Sequence, residues 1–426
     1  MSKLPGTPAL VLHYMLTLYT ETRNNDLVCL QWPSPPRNIL LTKKNNTPKI
    51  TESLIEYAQH IRSSYPGVHL LFERHVAEEV HGRLACAVYT TPAGVSAAAL
   101  QHKTDMICTL GGDGTILHAS SLFANTQRVP PILSFSMGTL GFLGEWKFKE
   151  YKRAFREVYM SGASAGYGSN LFTKPEGQHQ QDDSHSPIPS SYNAAHAAAV
   201  QPTGWSSIRG KSMGSNRGAR VLLRNRLRVS VFDADGNRIG GNSQDPSGSD
   251  SDVYAMNEVI VHRGGDPHLA IVEVFVGGRF LTEAVADGMI ISTPTGSTAY
   301  SLSSGGSIVH PLVKSLLLTP VCPRSLSFRP LVLPANTPIT LRLSEKNRGR
   351  EVEVSIDGVR RSKGVGVGME VRVFGERMKD KHGNWCGGVP SVVRGACGAE
   401  ATGEDHWVGG LNGLLKFNYP FGEEVS

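Results

Sequence analysis

The chain contains no Cys-x-x-Cys pair. Its six cysteines, Cys29, Cys86, Cys108, Cys322, Cys386 and Cys397, are scattered over 426 residues. That scatter argues against a structural zinc site or a redox dithiol and suits a reducing compartment. Also missing is any apolar run near the roughly 20 residues that cross a bilayer, so no membrane partner is expected. The apolar patch at 9–12, with Tyr14, Met15 and Leu16 behind it, lacks a basic start and a small-residue cleavage pattern, which disfavours a secretory signal. Organelle presequences are Arg-rich and acid-poor. Here Arg23 stands between Glu21 and Asp26, so the residues leave that question open. The formal charge of +6, from 43 basic and 37 acidic residues, is too mild for a nucleic-acid binder, though it fits a protein that handles phosphates.

Two common nucleotide-binding signatures are absent as well. Gly210-Lys211-Ser212 would need glycine at position 205 to complete a P-loop, and that residue is Trp205. No Gly-x-Gly-x-x-Gly follows an early strand, so hydride transfer on a Rossmann domain has no support.

At 426 residues, with 40% hydrophobic and 19% charged residues, two globular domains with some loose sequence are expected. The apolar runs at 39–42, 69–72, 106–110 and 132–135 read as buried strands. Thr47-Pro48 opens a helix with Leu54, Ile55, Ala58 and Ile61 at helical spacing. Strands alternating with helices predict an α/β domain, a parallel sheet flanked by helices, with ligands beyond the carboxyl ends of the strands. From about Arg224 the period changes to two, in the runs 227–232, 272–276, 339–343, 352–356 and 371–373. Turn pairs Asp235-Gly236, Gly277-Gly278 and Asp357-Gly358 punctuate them, predicting an all-β, sandwich-like second domain. Polar, Ser- and Gly-rich tracts have too little to bury and are expected as disordered insertions. The boundaries expected are a poorly ordered extension at 1–36, the α/β domain at 37–160 and a low-complexity insertion at 161–220. The β-rich domain follows at 221–390, with a loop insertion at 237–252. A C-terminal segment, 391–426, is a candidate to return to the α/β domain.

Three motifs carry chemistry. Gly111-Gly112-Asp113-Gly114-Thr115 lies between a strand and a helix, so its backbone N–H groups can point at phosphate oxygens. A carboxylate inside such a loop makes sense if Asp113 accepts a hydrogen bond from a hydroxyl nucleophile; the plain alternative is an Asx turn. The second motif, residues 134–143, places Gly138, Gly141 and Phe142 at the end of the next strand, for ligand contact or simple core packing. The third pairs Asn257-Glu258 with the run 287–306, rich in Thr, Ser and Gly. Asn257 can donate and accept at once, and Glu258 can accept from ribose hydroxyls. Arg209, Lys211, Arg217, Arg220, Arg224, Arg226 and Arg228 form a basic run. Of these, Arg224 to Arg228 could reach a phosphate, while the earlier ones read as a solvated linker.

These motifs, with Thr293-Pro-Thr-Gly-Ser-Thr-Ala-Tyr300 and Ser355-Ile-Asp-Gly358, stand in the order seen in the NAD kinase family, which the chain resembles from about 37 to 372. The stretch 135–162 is most similar to the fungal mitochondrial NADH kinase branch. The resemblance implies an ATP-dependent NAD(H) kinase that phosphorylates the adenosine ribose 2′-hydroxyl of NAD or NADH. Mg²⁺ would be bound with ATP and no protein metal site is expected. Asp113 would orient and deprotonate the hydroxyl, and Gly111, Gly112, Gly114 and Thr115 would hold phosphates. Phe142, Asn257, Glu258, Asp287, Thr298, Ala299, Tyr300 and Ser303 would line the NAD pocket, with Asp357 and Arg224 as further candidates. It also implies a homo-oligomer, dimer or tetramer, and slightly favours the mitochondrial matrix over the cytoplasm. Ser136 departs from the asparagine of many members. Two other readings stay open: a lipid or diacylglycerol-type kinase sharing the Gly-Gly-Asp-Gly loop, and a non-catalytic NAD(P) sensor.

Overall fold

The short apolar runs near the start of the chain pair side by side. Asn38–Lys43, His69–Phe72, Met106–Leu110 and Ile132–Ser136 form parallel strands, all but one of whose residues are buried. This is the expected pattern for a sheet covered on both faces. The computed structural model describes residues 17–21, 27–90, 97–138, 141–163, 218–239, 252–396 and 406–415. Helix Pro48–Ser64 starts with proline in its first turn and buries Ile50, Leu54, Ile55, Ala58 and Ile61, the stripe its spacing predicts. Helix Tyr151–Tyr159 presents Tyr151, Ala154, Phe155 and Val158 to the same core, where Tyr57 meets Phe135, Tyr151 and Phe155 edge to face.

This sheet is larger than its sequence suggests. Across it the order is Leu18–Glu21, Val28–Gln31, Ala219–Arg224, Val389–Ala396, Ile132–Ser136, Met106–Leu110, Asn38–Lys43, His69–Phe72 and Tyr89–Thr90. Three expected boundaries shift accordingly. Residues 1–36 were expected to be poorly ordered, yet Leu18–Glu21 and Val28–Gln31 are strands antiparallel to each other and joined to Ala219–Arg224. Trp32 is buried, its Nε1 donating to the carbonyl of Val158 at 2.8 Å, so the burial of one indole ties this segment down. The strand Ala219–Arg224 spans the expected junction between insertion and β domain and belongs to the first sheet instead. Val389–Ala396 also lies there, parallel to Ile132–Ser136 and antiparallel to Ala219–Arg224. The expected insertion at 161–220 falls outside the described residues between 164 and 217, but its two ends meet where the Ala219 N–H donates to Ser161 Oγ at 2.8 Å. Likewise 240–251 lies outside them, while Arg238–Ile239 is a short strand paired with 231–232.

The second domain is two seven-stranded antiparallel sheets. Leu227, Val229, Val272, Leu341 and Val371 of one share a buried cluster with Val259, Met289, Ile291, Leu318 and Val354 of the other, a sandwich. Gly277 and Gly278 (φ 60° and 77°) make one of its two-residue turns, and Asp357 and Gly358 (φ 47° and 79°) another. The left-handed pair is what a tight hairpin requires.

The domains meet beside the first sheet's carboxyl edge. Met256, from the β domain, packs in one cluster with Ile116, Ala119, Leu143 and Val389 of the α/β domain. That contact packs Met256 on the helix that begins at Asp113.

Candidate functional site

Met106–Leu110 ends where Gly111 donates its N–H to the Phe135 carbonyl at 3.0 Å. Gly112 precedes helix Asp113–Ser121. A Cβ at Gly111 would lie 2.2 Å from Thr115 Oγ1, whereas one at Gly112 or Gly114 would meet nothing within 4 Å. The first glycine is therefore fixed by packing, and the other two border open space. The N–H groups of Asp113 and Gly114, in the first turn, have no helix carbonyl one turn back to bond.

The Asp113 carboxylate is not turned on its own backbone, as an Asx turn would have it. Oδ2 accepts from the Phe142 N–H at 2.9 Å and Oδ1 from the Leu143 N–H at 3.1 Å. A Cβ on Gly141 would stand 2.1 Å from Oδ1, so that glycine is required by the close approach of loop to carboxylate. The second motif thus serves to grip the aspartate of the first, a role that packing periodicity could not reveal.

Arg224 lies behind this contact, 3% exposed. Its Nη2 donates to the carbonyls of Leu143 at 3.3 Å and Phe142 at 3.5 Å, Nη1 to Thr295 Oγ1 at 3.5 Å, and Nε to Ser391 Oγ at 3.1 Å. Burial pulls its pKa down to about 10, against the opposing fields of Glu145 and Asp113. Expected to reach a phosphate, Arg224 instead has its guanidinium committed to loop carbonyls and hydroxyls, because its strand is internal to the sheet. Arg226 is buried too, paired with Glu376 at 2.6 Å and stacked on Tyr254. Arg224 and Arg226 are therefore interior braces, whereas Arg228 two residues on is exposed.

Across Arg224 lies the third motif. Thr293 donates its N–H to the Asn257 carbonyl at 2.9 Å and its hydroxyl to the Met256 carbonyl at 2.6 Å. Gly296 packs so closely on Asn257 that a Cβ would come within 2.2 Å of its carbonyl oxygen. Asp357, in the left-handed hairpin turn, accepts the N–H groups of Met256, Asn257 and Glu258 at 2.7, 2.7 and 3.1 Å. Burial raises the Asp357 pKa, opposed by those three N–H donors and by Arg226. The backbone of Asn257 and Glu258 is thereby clamped. Asn257 Oδ1 and Glu258 Oε2 are buried with no hydrogen-bond partner among the described residues, a condition that costs free energy until a ligand supplies donors.

Burial, and secondarily the Asp357 carboxylate, pushes Glu258 up to about 7 from its ordinary 4.5. Between those values the folded chain binds more protons than the unfolded one, so this group makes stability fall as pH rises through the window. Thermal unfolding of the free protein should therefore show a larger loss of Tm from pH 5 to pH 8 in the wild type than in Glu258→Gln. Parallel Tm profiles for the two proteins would contradict the shift.

Thr298 and Ala299 are half-buried at the end of the Thr295–Thr298 turn, and Tyr300 and Ser303 are exposed on the short helix that follows. Asp287 departs from expectation. Strand Gly288–Ser292 pairs with Glu258–His262 so that Glu258 faces Ser292 and His262 faces Gly288. Asp287 therefore sits at the far end, on the order of 15 Å along the strand from Glu258, where it pairs with Arg263 Nε at 2.6 Å. Within one chain the antiparallel register keeps it away from Glu258. No group of three or more His, Cys, Asp or Glu side chains placed to hold a metal forms among the described residues.

A glycine loop at a strand-to-helix junction, a gripped aspartate and buried acceptors without partners on an α/β-plus-β-sandwich scaffold are the features of a phosphotransferase of the nucleotide-kinase type. The chain belongs to the ATP-NAD kinase family: the N-terminal domain model of that family matches residues 40–163 and the C-terminal domain model residues 256–374. It is similar to the mitochondrial NADH kinase pos5 of Schizosaccharomyces pombe, 37% identical over 93% of this chain and 79% of the relative. The mitochondrial NADH kinase POS5 of Saccharomyces cerevisiae is 34% identical over 95% of this chain and 86% of that protein. Among solved structures, the yeast NADH kinase complexed with NADH matches at a TM-score of 0.69 and 33% identity, covering 96% of each chain.

Proposed function

We infer that the chain transfers the terminal phosphoryl group of ATP to the 2′-hydroxyl of the adenosine ribose of NADH or NAD, giving NADP(H). What carries this reading is the bridge made by Arg224: one buried guanidinium spans the loop that grips Asp113 and the loop that packs on Asn257. In this reading Asp113, the glycine loop and the unpartnered acceptors of Asn257 and Glu258 act together.

In this scheme Asn257 and Glu258 take the ribose and adenine side of the dinucleotide, and Thr298, Ala299 and Phe142 wall the pocket. Asp113 accepts the hydrogen bond of the 2′-hydroxyl and directs its oxygen at phosphorus. As the new O–P bond forms, the bond from the γ-phosphorus to the bridging oxygen breaks, and the hydroxyl proton passes to the carboxylate. A carboxylate is a weak base for a sugar hydroxyl, but phosphoryl transfer runs through a loose transition state in which deprotonation is late and positioning supplies most of the acceleration. Mg²⁺ fits as a companion of the ATP phosphates, needing few protein carboxylates, and supplies neutralisation of the polyphosphate charge when bound. The mitochondrial relatives support a mitochondrial setting, and the family resemblance a homo-oligomeric enzyme.

The test is a side-by-side assay of the purified protein with MgATP and either NADH or NAD. Formation of the 2′-phosphorylated dinucleotide is the expected result. Turnover of diacylglycerol with neither dinucleotide phosphorylated would overturn it.

A further inference from the structure

The proposed reaction uses residues on the sandwich side of Asp113 and Mg²⁺ carried with ATP, but assigns no protein cation to the donor's phosphates. Bringing a polyphosphate to a carboxylate is electrostatically unfavourable unless a positive group attends it. Arg224 cannot serve, since its guanidinium is buried under the loop and bonded to carbonyls. On the opposite, open side of the loop stand Lys43 and Lys44, at the carboxyl end of Asn38–Lys43. The two lysines have different fates. Lys43 is buried and its Nζ is paired with Glu79 at 2.8 Å. Lys44 is exposed, and no ion pair to it forms among the described residues.

The position of Lys44 is fixed against the phosphate loop. Its N–H donates to the Leu110 carbonyl at 2.9 Å, continuing the register in which Lys43 faces Leu110. Its Cβ lies 3.3 Å from where a Cβ on Gly111 would be. The segment just beyond is pinned as well: Asn46 adopts a left-handed φ of 54°, and Asn45 Oδ1 is 2.9 Å from His75 Nε2. From this anchor a flexible four-carbon stem is long enough to extend toward Gly112 and Gly114, the two glycines at which an added Cβ would meet open space.

We propose that Lys44 contacts the phosphates of the phosphoryl donor, so that ATP enters over the outer part of the sheet's carboxyl edge while the dinucleotide occupies the sandwich side. This rests on the kinase reading above. Lys44 neutralises charge on the donor and has no contact with the acceptor, so its effect is confined to the nucleotide triphosphate.

The experiment compares wild type, Lys44→Met and Lys44→Arg. An exposed lysine can be replaced without loss of fold, which circular dichroism checks. Lys44→Met should raise KM for ATP by about tenfold or more, the scale of one charge-assisted hydrogen bond. The dissociation constant for NADH, read from NADH fluorescence without ATP, should stay within a factor of about two, and Lys44→Arg should restore most of the ATP affinity, since arginine also carries the charge. An unchanged KM for ATP in Lys44→Met overturns the assignment, as does an equal loss of NADH affinity. Calorimetric titration with MgADP separates this idea from the kinase reading. If the wild type phosphorylates neither dinucleotide, the kinase reading fails on its own. Equal MgADP affinity in wild type and Lys44→Met sinks the role of Lys44 whatever the acceptor is.

Discussion

Asp113→Asn should lower kcat by at least about 10², the scale of a lost acid–base group, while NADH still binds with an affinity close to that of the wild type. The carboxylate has two tasks in the structure. It accepts the N–H groups of Phe142 and Leu143, and its remaining lone pairs are available to a hydroxyl. An asparagine keeps the shape but must turn its NH₂ toward one of those two N–H donors, so it loses both the basic oxygen and part of the grip on the loop. The NADH contacts inferred for Asn257 and Glu258 are held separately, by Asp357, which is why binding and turnover should come apart. Single-turnover kinetics paired with an NADH fluorescence titration would show the split. Near wild-type turnover in this variant would remove Asp113 from the chemistry.

The second large effect is expected at Asp357. Its alanine variant leaves three buried N–H groups, those of Met256, Asn257 and Glu258, without the acceptor they have now. It also forces a Cβ-bearing residue without a local polar bond to keep φ at 47°, a region costly to all but Gly, Asn and Asp. Together these should destabilise the fold by about 3 kcal/mol or more, given roughly 1.5–3 kcal/mol for a hydrogen bond to a charged group. Because the clamp aims Asn257 and Glu258, affinity for NADH should fall by about tenfold, equivalent to ~1.4 kcal/mol. Asp357→Asn, which tolerates the backbone but not all three donors, should lie between. Urea denaturation measures the first effect and NADH titration of the folded variant the second. A folded Asp357→Ala protein with unaltered NADH affinity would show that the clamp does not act on the pocket.

The two residues differ in how far the sequence could take them. Asp113 announces itself through four neighbours in a row, a strand before and a helix after. Asp357 shows only an Asp-Gly turn between two strands; that its carboxylate bonds backbone a hundred residues earlier follows from the antiparallel pairing of Glu258–His262 with Glu351–Ile356.

By itself the sequence determined what depends on neighbours a few residues apart. The runs at 39–42, 69–72 and 106–110 are short apolar stretches, and 227–232 alternates with period two, the lengths and patterns of strands. The Gly-Gly-Asp-Gly-Thr run stood out as a strand-to-helix loop open to close backbone approach. The ordered motifs sufficed to identify the family. Only the tertiary structure decided what depends on which distant segment arrives alongside. It placed Val28–Gln31 and Val389–Ala396 on either side of Ala219–Arg224, and so turned Arg224 from a candidate phosphate ligand into a buried brace. It set Asp287 beside Arg263, at the far end of the strand pair from Glu258, and it left one of two adjacent lysines paired and the other exposed. Spacing along a chain fixes which face a side chain presents, whereas the groups it meets there are set by strand order and register, which local periodicity does not encode.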